Sequence, residues 1–203
     1  MLNKGNVIVV TATSVEAKAA RRELRGLPVI EAGVALCRLR ESGAVELRDS
    51  ATVSCGLAGG LHHHHPTGTV VIPSEVLRPD GTTLECDAVL TQALREAARR
   101  LGIEAVTDAI VTTATLITGS ERNAWSQRGY AGVDMETGLL TAPRVAAVRV
   151  LLDTPLRELS QEWLHPARAL LDPRLWPEAV WLARHAPRCA RLAAAIVAGA
   201  HFT

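Results

Sequence analysis

Apolar residues fall along this chain in two rhythms, short unbroken runs and helical stripes, and the two alternate from the start. "NVIVVTA" (6 to 12) is a β-branched run between polar residues, the pattern of a strand buried on both faces. "TSVEAKAARREL" follows directly, with Thr13 and Glu16 three apart as a capping box and Val15, Ala19, Ala20 and Leu24 spaced for one helix face. From Pro28 to Gly56 the runs "VIEAGVALCRL" and "ATVSCG" are punctuated by Ser, Gly and Asp, which predicts strands and turns rather than a long helix. "GTVVIPSEV" (68 to 76) predicts one further strand, its Pro73 marking an edge or a bulge.

Asp87 stands where it can cap "AVLTQALREAARRL", whose Leu90, Leu94, Ala97, Ala98 and Leu101 form a stripe that stops at Gly102. "EAVTDAIVTTATLI" predicts a strand running into a loop, and "RVAAVRVLLD" (144 to 153) a strand that ends in an acid. From Ser160 onward the pattern is helical, with Pro166, Pro173, Pro177 and Pro187 as expected breaks. Strands alternating with helices predict α/β layers around a mostly parallel sheet, with ligands gathering at the carboxyl ends of the strands. At 203 residues, one domain over residues 1–203 accounts for the whole chain.

Composition narrows the picture in three ways. Aromatics are 3% of a chain that is 48% hydrophobic, so the core must be built of Ala, Val and Leu, and few rings are left to stack a flat ligand. Lys plus Arg (22) nearly cancel Asp plus Glu (21), which speaks against a nucleic-acid partner. Cys37, Cys55, Cys86 and Cys189 lack any C-x-x-C spacing, so neither a zinc site nor a disulfide framework is expected, and a reducing cytoplasm fits. The first apolar run is about six residues, too short for a signal core or a membrane span.

Three acids close strands or sit in loops: Glu16, Glu136 in "GVDMETG", and Asp153 in "VRVLLD". Each has an ordinary explanation, since Glu16 completes a capping box, Asp153 can cap a turn before Pro155, and Glu136 can be a solvated loop acid. Taken together and in order, however, "VIVVTATSVEAKAA", "SCGLAGGLHHHHPTGTVVIPSEV", "GVDMETG" and "VRVLLDT" resemble the nucleoside phosphorylase and nucleosidase superfamily over roughly residues 6 to 155. Within it, "GLAGGL" and the tail "LRELSQEWLHPARALLDPRLWPEAVWLA" look nearest to the hopanoid-associated branch, which is linked to removing adenine from an adenosyl-hopane.

That resemblance implies a three-layer α/β/α fold with a central mixed, mostly parallel sheet, and cleavage of an N-glycosidic bond. Asp153 would protonate N7 of a purine so that the base leaves neutral, and partial shielding from water would suit its carboxyl to the task. Glu136 would accept hydrogen bonds from the ribose 2′- and 3′-hydroxyls over Met135, placing negative charge near a sugar that becomes cationic. Glu16 would orient or deprotonate the attacking water. Gly56 and Leu57 would border the water or phosphate site, and Leu116 and Ile117 of "TTATLI" the base, with Leu116 where the family commonly has a stacking ring. Trp125 and Tyr130 read as core residues, and Arg149 as a support for its strand or an orienter of Asp153. No cofactor is implied, with phosphate as the one candidate co-substrate; the partners implied are a small nucleoside and a second copy in a homodimer.

Several positions depart from the family. Leu57 and Leu152 replace small hydroxyl residues, and "TATSVE" carries no arginine, all of which favours hydrolysis over phosphorolysis. "TGLLTAPRVAAV" is shorter than the family's full helix between Glu136 and Arg149, which leaves room for a turn or two and makes a catalytically silent nucleoside-binding or scaffold member a real alternative. Methylthioadenosine, adenosylhomocysteine and futalosine are the smaller substrates in view. Leu164, Leu170, Leu171, Leu175, Trp176, Trp181 and Leu182 with interleaved arginines suit either a solvated helix over the core or peripheral contact with the inner face of a membrane. His62 to His65 in "GGLHHHHPTG" read as a spacer loop, since four adjacent residues rarely point at one metal.

Overall fold

A computed structural model of the protein describes residues 7–41, 47–164 and 166–202. The first apolar run forms β1 (Val7–Thr11), buried throughout, and the capping box opens α1 (Ser14–Glu23). β2 (Val29–Glu31), a 3-10 turn at Val34–Leu36 and α2 (Cys37–Glu41) lead to β3 (Ala51–Gly60). β4 (Val70–Val71), β5 (Glu75–Leu77) and β6 (Thr83–Glu85) precede α3 (Ala88–Arg100). β7 (Ile110–Thr112), α4 (Gly119–Gln127), β8 (Gly132–Asp134) and β9 (Arg144–Leu151) complete the sheet. Beyond it come α5 (Pro166–Ala169) and the long α6 (Trp176–Gly199).

The sheet is nine-stranded, and five of its eight ladders are parallel among the described residues. β3 is its hinge. Ala51 to Ala58 pair with β9 in parallel, and then Gly59 and Gly60 turn away to pair antiparallel with Val133 and Gly132 of β8. The glycine pair that precedes the histidines is therefore strand. Where one strand was expected over 68 to 76 there are two, β4 on β9 and β5 on β7, because Pro73 between them cannot donate to a ladder.

α1, α3 and α6 cover one face, where Ala, Val, Leu and Ile from β1, β3 and β9 make the main core with Phe202. The opposite face is covered by shorter pieces, with Leu36, Leu47, Leu140 and Ala142 over Ile8, Val10 and Val145. On α1 the buried face runs through Glu16, Ala17, Ala20 and Leu24, and Val15 is 40% exposed, about half a turn from Ala17. α3 begins at Asp87, whose carboxylate accepts from Val89 and Leu90 N–H, and ends where Gly102 takes a φ of 72° that a side chain would disfavour.

The expected break at Pro187 does not occur, because α6 continues to Gly199. A proline inside a helix costs about 3 kcal/mol. The turns beyond it bury Cys189, Ala190, Ala193, Ala194, Ile196 and Val197, which offsets that cost. Pro177 stands in the first turn, where its missing N–H has no partner to lose. Residues 42–46 of the 28 to 56 stretch, and the Leu164 side chain, lie outside the described residues. No described helix is long and apolar enough to cross a membrane.

Candidate active site at the strand ends

Three distant segments meet over the carboxyl ends of β1, β3, β8 and β9. There a cavity of about 200 Å³ is lined by Glu16, Glu136 and Asp153 together with Met135, Leu57, Leu116 and Ile117. Every residue expected at the site borders this cavity except Gly56, which lies just beneath. A Cβ on Gly56 would collide with Glu16 Oε1 and stand 2.8 Å from an Arg149 nitrogen, so glycine there is what lets the two approach.

Glu16 is fixed by its place in the α1 cap. Its Oε2 accepts from Ala12 N–H (3.1 Å), Thr13 N–H (2.7 Å) and the Thr13 hydroxyl (2.9 Å), and its Oε1 accepts from Leu57 N–H at 2.7 Å. The capping role and a site role are thus held by one side chain: Oε2 serves the helix, and Oε1 keeps a free lone pair at the cavity.

Behind Glu136 lies a buried polar cluster. Arg149 Nη2 pairs with Asp134 Oδ2 at 2.7 Å, donates to Ser54 Oγ (2.7 Å) and Thr137 Oγ1 (2.8 Å), and stands 3.7 Å from Glu136 Oε2. Asp134 also accepts from the Thr112 hydroxyl at 2.6 Å and from the Thr137 hydroxyl. Glu136 Oε1 takes Ala35 N–H at 3.1 Å, and Ala35 and Leu36 both hold left-handed φ angles, 53° and 56°, to present it. Burial, only partly opposed by Arg149 and reinforced by Asp134 and Glu16, pushes Glu136 up to about 7. Burial works against the Arg149 charge, yet Asp134, Glu136 and Glu16 hold its pKa above the usual arginine range. The short segment after Glu136 forms one 3-10 turn, Thr137–Leu139, and this turn places Thr137 in the cluster.

At the other end Asp153 is shielded from water, 5% exposed, and an arginine absent from the sequence reading holds it. Arg122 of α4, 1% exposed, pairs with Asp153 Oδ2 at 2.5 Å and donates to the carbonyls of Gly60 and Ile117. Its Nε faces Glu158 Oε1 at 3.3 Å without the alignment of a hydrogen bond. Arg149 makes no described contact with Asp153, so Arg122 is the orienter and Arg149 serves Asp134 and Glu136. Asp134 was inside the quoted "GVDMETG", whereas nothing in "GSERNAWSQ" marks Arg122 as buried. Trp125 and Tyr130 meet edge-to-face at 5.5 Å and pack, partly buried, against Leu61, Val111 and Val133, with the Arg128 guanidinium over both rings.

The histidines form a turn between β3 and β4. His62 Nδ1 shares a 2.8 Å hydrogen bond with Ser126 Oγ, and the rings of His62, His64 and His65 lie within 5.3 Å of one another. Burial, with His64 and His62 adding, holds His65 below the usual histidine range. No group of three or more His, Cys, Asp or Glu among the described residues is arranged to hold a metal.

Residues 33–142, more than half of the chain, match the family model described as the phosphorylase superfamily. The chain belongs to that superfamily. Its α/β architecture agrees with solved phosphorylase-superfamily structures. S-adenosylhomocysteine nucleosidase from Streptococcus pyogenes superposes with a TM-score of 0.73 at 13% identity, over 98% of this chain and 96% of that one. Futalosine hydrolase of Helicobacter pylori gives 0.71 at 11%, over 96% of each. The 5′-methylthioadenosine/S-adenosylhomocysteine nucleosidase from Neisseria meningitidis gives 0.66 at 18%, over 95% and 96%. At such identities the likeness is one of fold. Among curated protein sequences none matches this superfamily member.

Proposed function

We propose that the protein is an N-ribosyl hydrolase that releases adenine from an adenosyl nucleoside. The observation that carries this is the convergence of Glu16, Glu136 and Asp153, from three remote segments, on one apolar cavity. In this reading Glu136 accepts the ribose 2′- and 3′-hydroxyls above Met135, and its charge stabilises the oxocarbenium character that develops at C1′. Glu16 Oε1, steadied by Leu57 N–H, orients the water that attacks C1′. Asp153 meets the leaving base beside Leu116 and Ile117. The named nucleosidase and futalosine hydrolase neighbours support this reaction class.

Hydrolysis is preferred over phosphorolysis because a phosphate needs converging cationic and N–H donors. Arg122 is the one cation among the described lining residues and is committed to Asp153, while Arg149 beneath is committed to Asp134. The apolar lining of Val34, Leu57, Leu152 and Leu159 supports an apolar 5′ substituent. A cavity of about 200 Å³ is below the roughly 300–1,000 Å³ usual for ligand pockets, which favours a small nucleoside over one with a bulky 5′ group. Of the substrates in view, methylthioadenosine carries the smallest 5′ substituent. An adenosyl-hopane, the finer reading from the sequence, would have to carry its ring system outside the cavity, and with it would go the contact with a membrane face. The homodimer implied by the resemblance belongs to this proposal as well.

A silent nucleoside-binding member is the second reading, favoured by the protein groups already seated on two acids, Ala35 N–H on Glu136 and Arg122 on Asp153. Purified protein incubated with adenosyl compounds, with and without phosphate, separates the two when free adenine is followed by chromatography. Turnover that falls at least about 100-fold in Asp153→Asn is expected, in line with the contribution of a positioned proton-transfer group. Binding without turnover across the panel, an adenosyl-hopane included, establishes the silent reading, and phosphate-dependent turnover overturns hydrolysis.

A further inference from the structure

We infer that the outer face of α1 and α6 is a docking surface for an anionic lipid bilayer. This goes beyond the nucleosidase reading and does not depend on it. Nine large apolar side chains stand exposed among the described residues, and five of them, Val15, Leu170, Leu171, Trp176 and Val180, lie on α1, on α6 or in the segment leading into α6. The leucines and tryptophans of the tail divide on folding. Leu175 is buried, and Trp181 and Leu182 pack on the core, whereas Leu171 is 82% exposed and Leu170, Trp176 and Val180 are each more than half exposed. Trp176 Nε1 donates to the Leu170 carbonyl at 3.2 Å, which sets the indole beside the leucines with its one polar atom satisfied.

The charges follow the same helix. Trp176, Val180, Arg184, Arg188 and Arg191 fall within about 120° of arc on α6, so one stripe runs from apolar to basic over about 22 Å. α1 packs along α6, and its Lys18 and Arg22 line, with Arg191 and Val15, a groove between the two helices. All five cations are exposed, and none is in an ion pair among the described residues. Acids nearby are engaged elsewhere: Glu178 accepts from Ser160 and Trp163, Asp172 from Arg174 N–H, and Glu158 faces Arg122. Glu23 is the one acid among the described residues that line the groove. A chain of net charge +1 thus gathers a local positive excess on this face.

Charge and apolar area together select the partner. Arginine and lysine are drawn to an anionic bilayer within about a Debye length, and exposed Trp and Leu gain by entering the boundary between headgroups and acyl chains. A nucleic acid would answer the arginines and leave the leucines in water. An apolar protein partner would answer the leucines and leave the cations unmatched. A bilayer surface answers both ends of the stripe. The face also adjoins the cavity, since Thr13 and Glu16 line the cavity and Val15 between them lines the groove, so docking would set the rim of the site beside the membrane.

Co-sedimentation of the purified protein with vesicles tests this, using phosphatidylcholine alone or with about 30 mol% phosphatidylserine, at about 0.1 M salt. Binding to the anionic vesicles is expected to be at least about tenfold stronger than to the neutral ones and to weaken at about 0.5 M salt. The double variant Arg188→Gln and Arg191→Gln should lower partitioning at least about tenfold. Arg78→Gln with Arg128→Gln, which removes the same charge beside the β5–β6 hairpin, should stay within about threefold. Brominated acyl chains should quench tryptophan fluorescence in the wild type, and folded Trp176→Leu should lose most of that quenching. Circular dichroism verifies that each variant folds. Equal binding to both vesicle types, binding to neither, tighter binding to duplex DNA than to the anionic vesicles, equal losses in the two double variants, or unchanged quenching in folded Trp176→Leu overturns the inference. If a variant does not fold, the wild-type comparison of vesicles and DNA decides alone. Adenine release from a soluble nucleoside is scored separately: vesicle binding without turnover keeps this inference and defeats the nucleosidase reading, and turnover without vesicle binding does the reverse.

Discussion

The two ends of the cavity solve the same problem, a buried carboxylate beside a buried arginine, in opposite ways. At the ribose end Arg149 spends its close contact on Asp134, 2.7 Å away, and leaves Glu136 at 3.7 Å. Burial then dominates, and Glu136 is pushed up to about 7. At the base end Arg122 closes directly on Asp153. A second carboxylate at each end decides between these outcomes: Asp134 draws Arg149 away from the catalytic candidate, whereas Glu158 is too distant and too exposed, at 34%, to draw Arg122 away. Arginine beside an acid therefore does not by itself fix what the acid can do.

Breaking the ribose end should have the largest effect. In the proposed reading Glu136→Gln removes the charged acceptor of two hydroxyls; hydrogen bonds to charged groups contribute roughly 1.5–3 kcal/mol each, so kcat/KM should fall about 100-fold or more. The pH profile sharpens the point. If the carboxylate form binds the hydroxyls, as proposed, wild-type kcat/KM should rise as pH climbs through about 7, and the Gln variant should lose that limb. Stability runs the other way. Because the folded protein holds this proton up to about 7 and an exposed glutamate only to about 4.5, the contribution is fully present below 4.5 and is lost as pH rises through 7. Urea unfolding of wild type against Glu136→Gln between pH 4.5 and 8 measures it; a difference that does not change with pH would refute the origin assigned to the shift.

What could be read from the sequence divides along the same line. The first strand, the Thr13–Glu16 cap and the Asp87 helix stand on local signals, and local signals survive folding, whereas the three acids were singled out together only by the resemblance of four ordered segments to a family. Pro187 misled because its cost is local while the burial that offsets it, on β3, α1 and α3, is not. Val15 misled because four-residue spacing alone does not say which stripe of an alanine-rich helix faces inward. Arg122 left no trace at all: it sits in a polar nine-residue helix, and only the tertiary placement of that helix against Gly60 and Asp153 buries it.

A smaller change probes the base end from the side of the missing ring. Leu116 borders the cavity where a stacking aromatic was expected. Aromatic pairs contribute about 0.5–1.5 kcal/mol beyond their area. Leu116→Phe should therefore lower the Kd for an adenine nucleoside by roughly two- to tenfold in calorimetry. An unchanged Kd would mean that the base does not lie against residue 116.

The smallest effect belongs to the histidines, and it tests whether the base end depends on its support. Ser126 follows Arg122 by one helical turn, so the 2.8 Å bond between His62 and Ser126 braces the same face of α4 that holds Asp153. His62→Ala removes one partly buried hydrogen bond, worth about 1 kcal/mol. Thermal unfolding should register that loss, while the exposed His63, changed to Ala, should alter stability by no more than about 0.5 kcal/mol. Turnover in His62→Ala should stay within about threefold of wild type, because Arg122 keeps Asp153 and both carbonyls without the brace. A fall comparable to that of Asp153→Asn would instead show that the base-end pair is held from the loop, and that the contrast between the two ends is made outside the cavity.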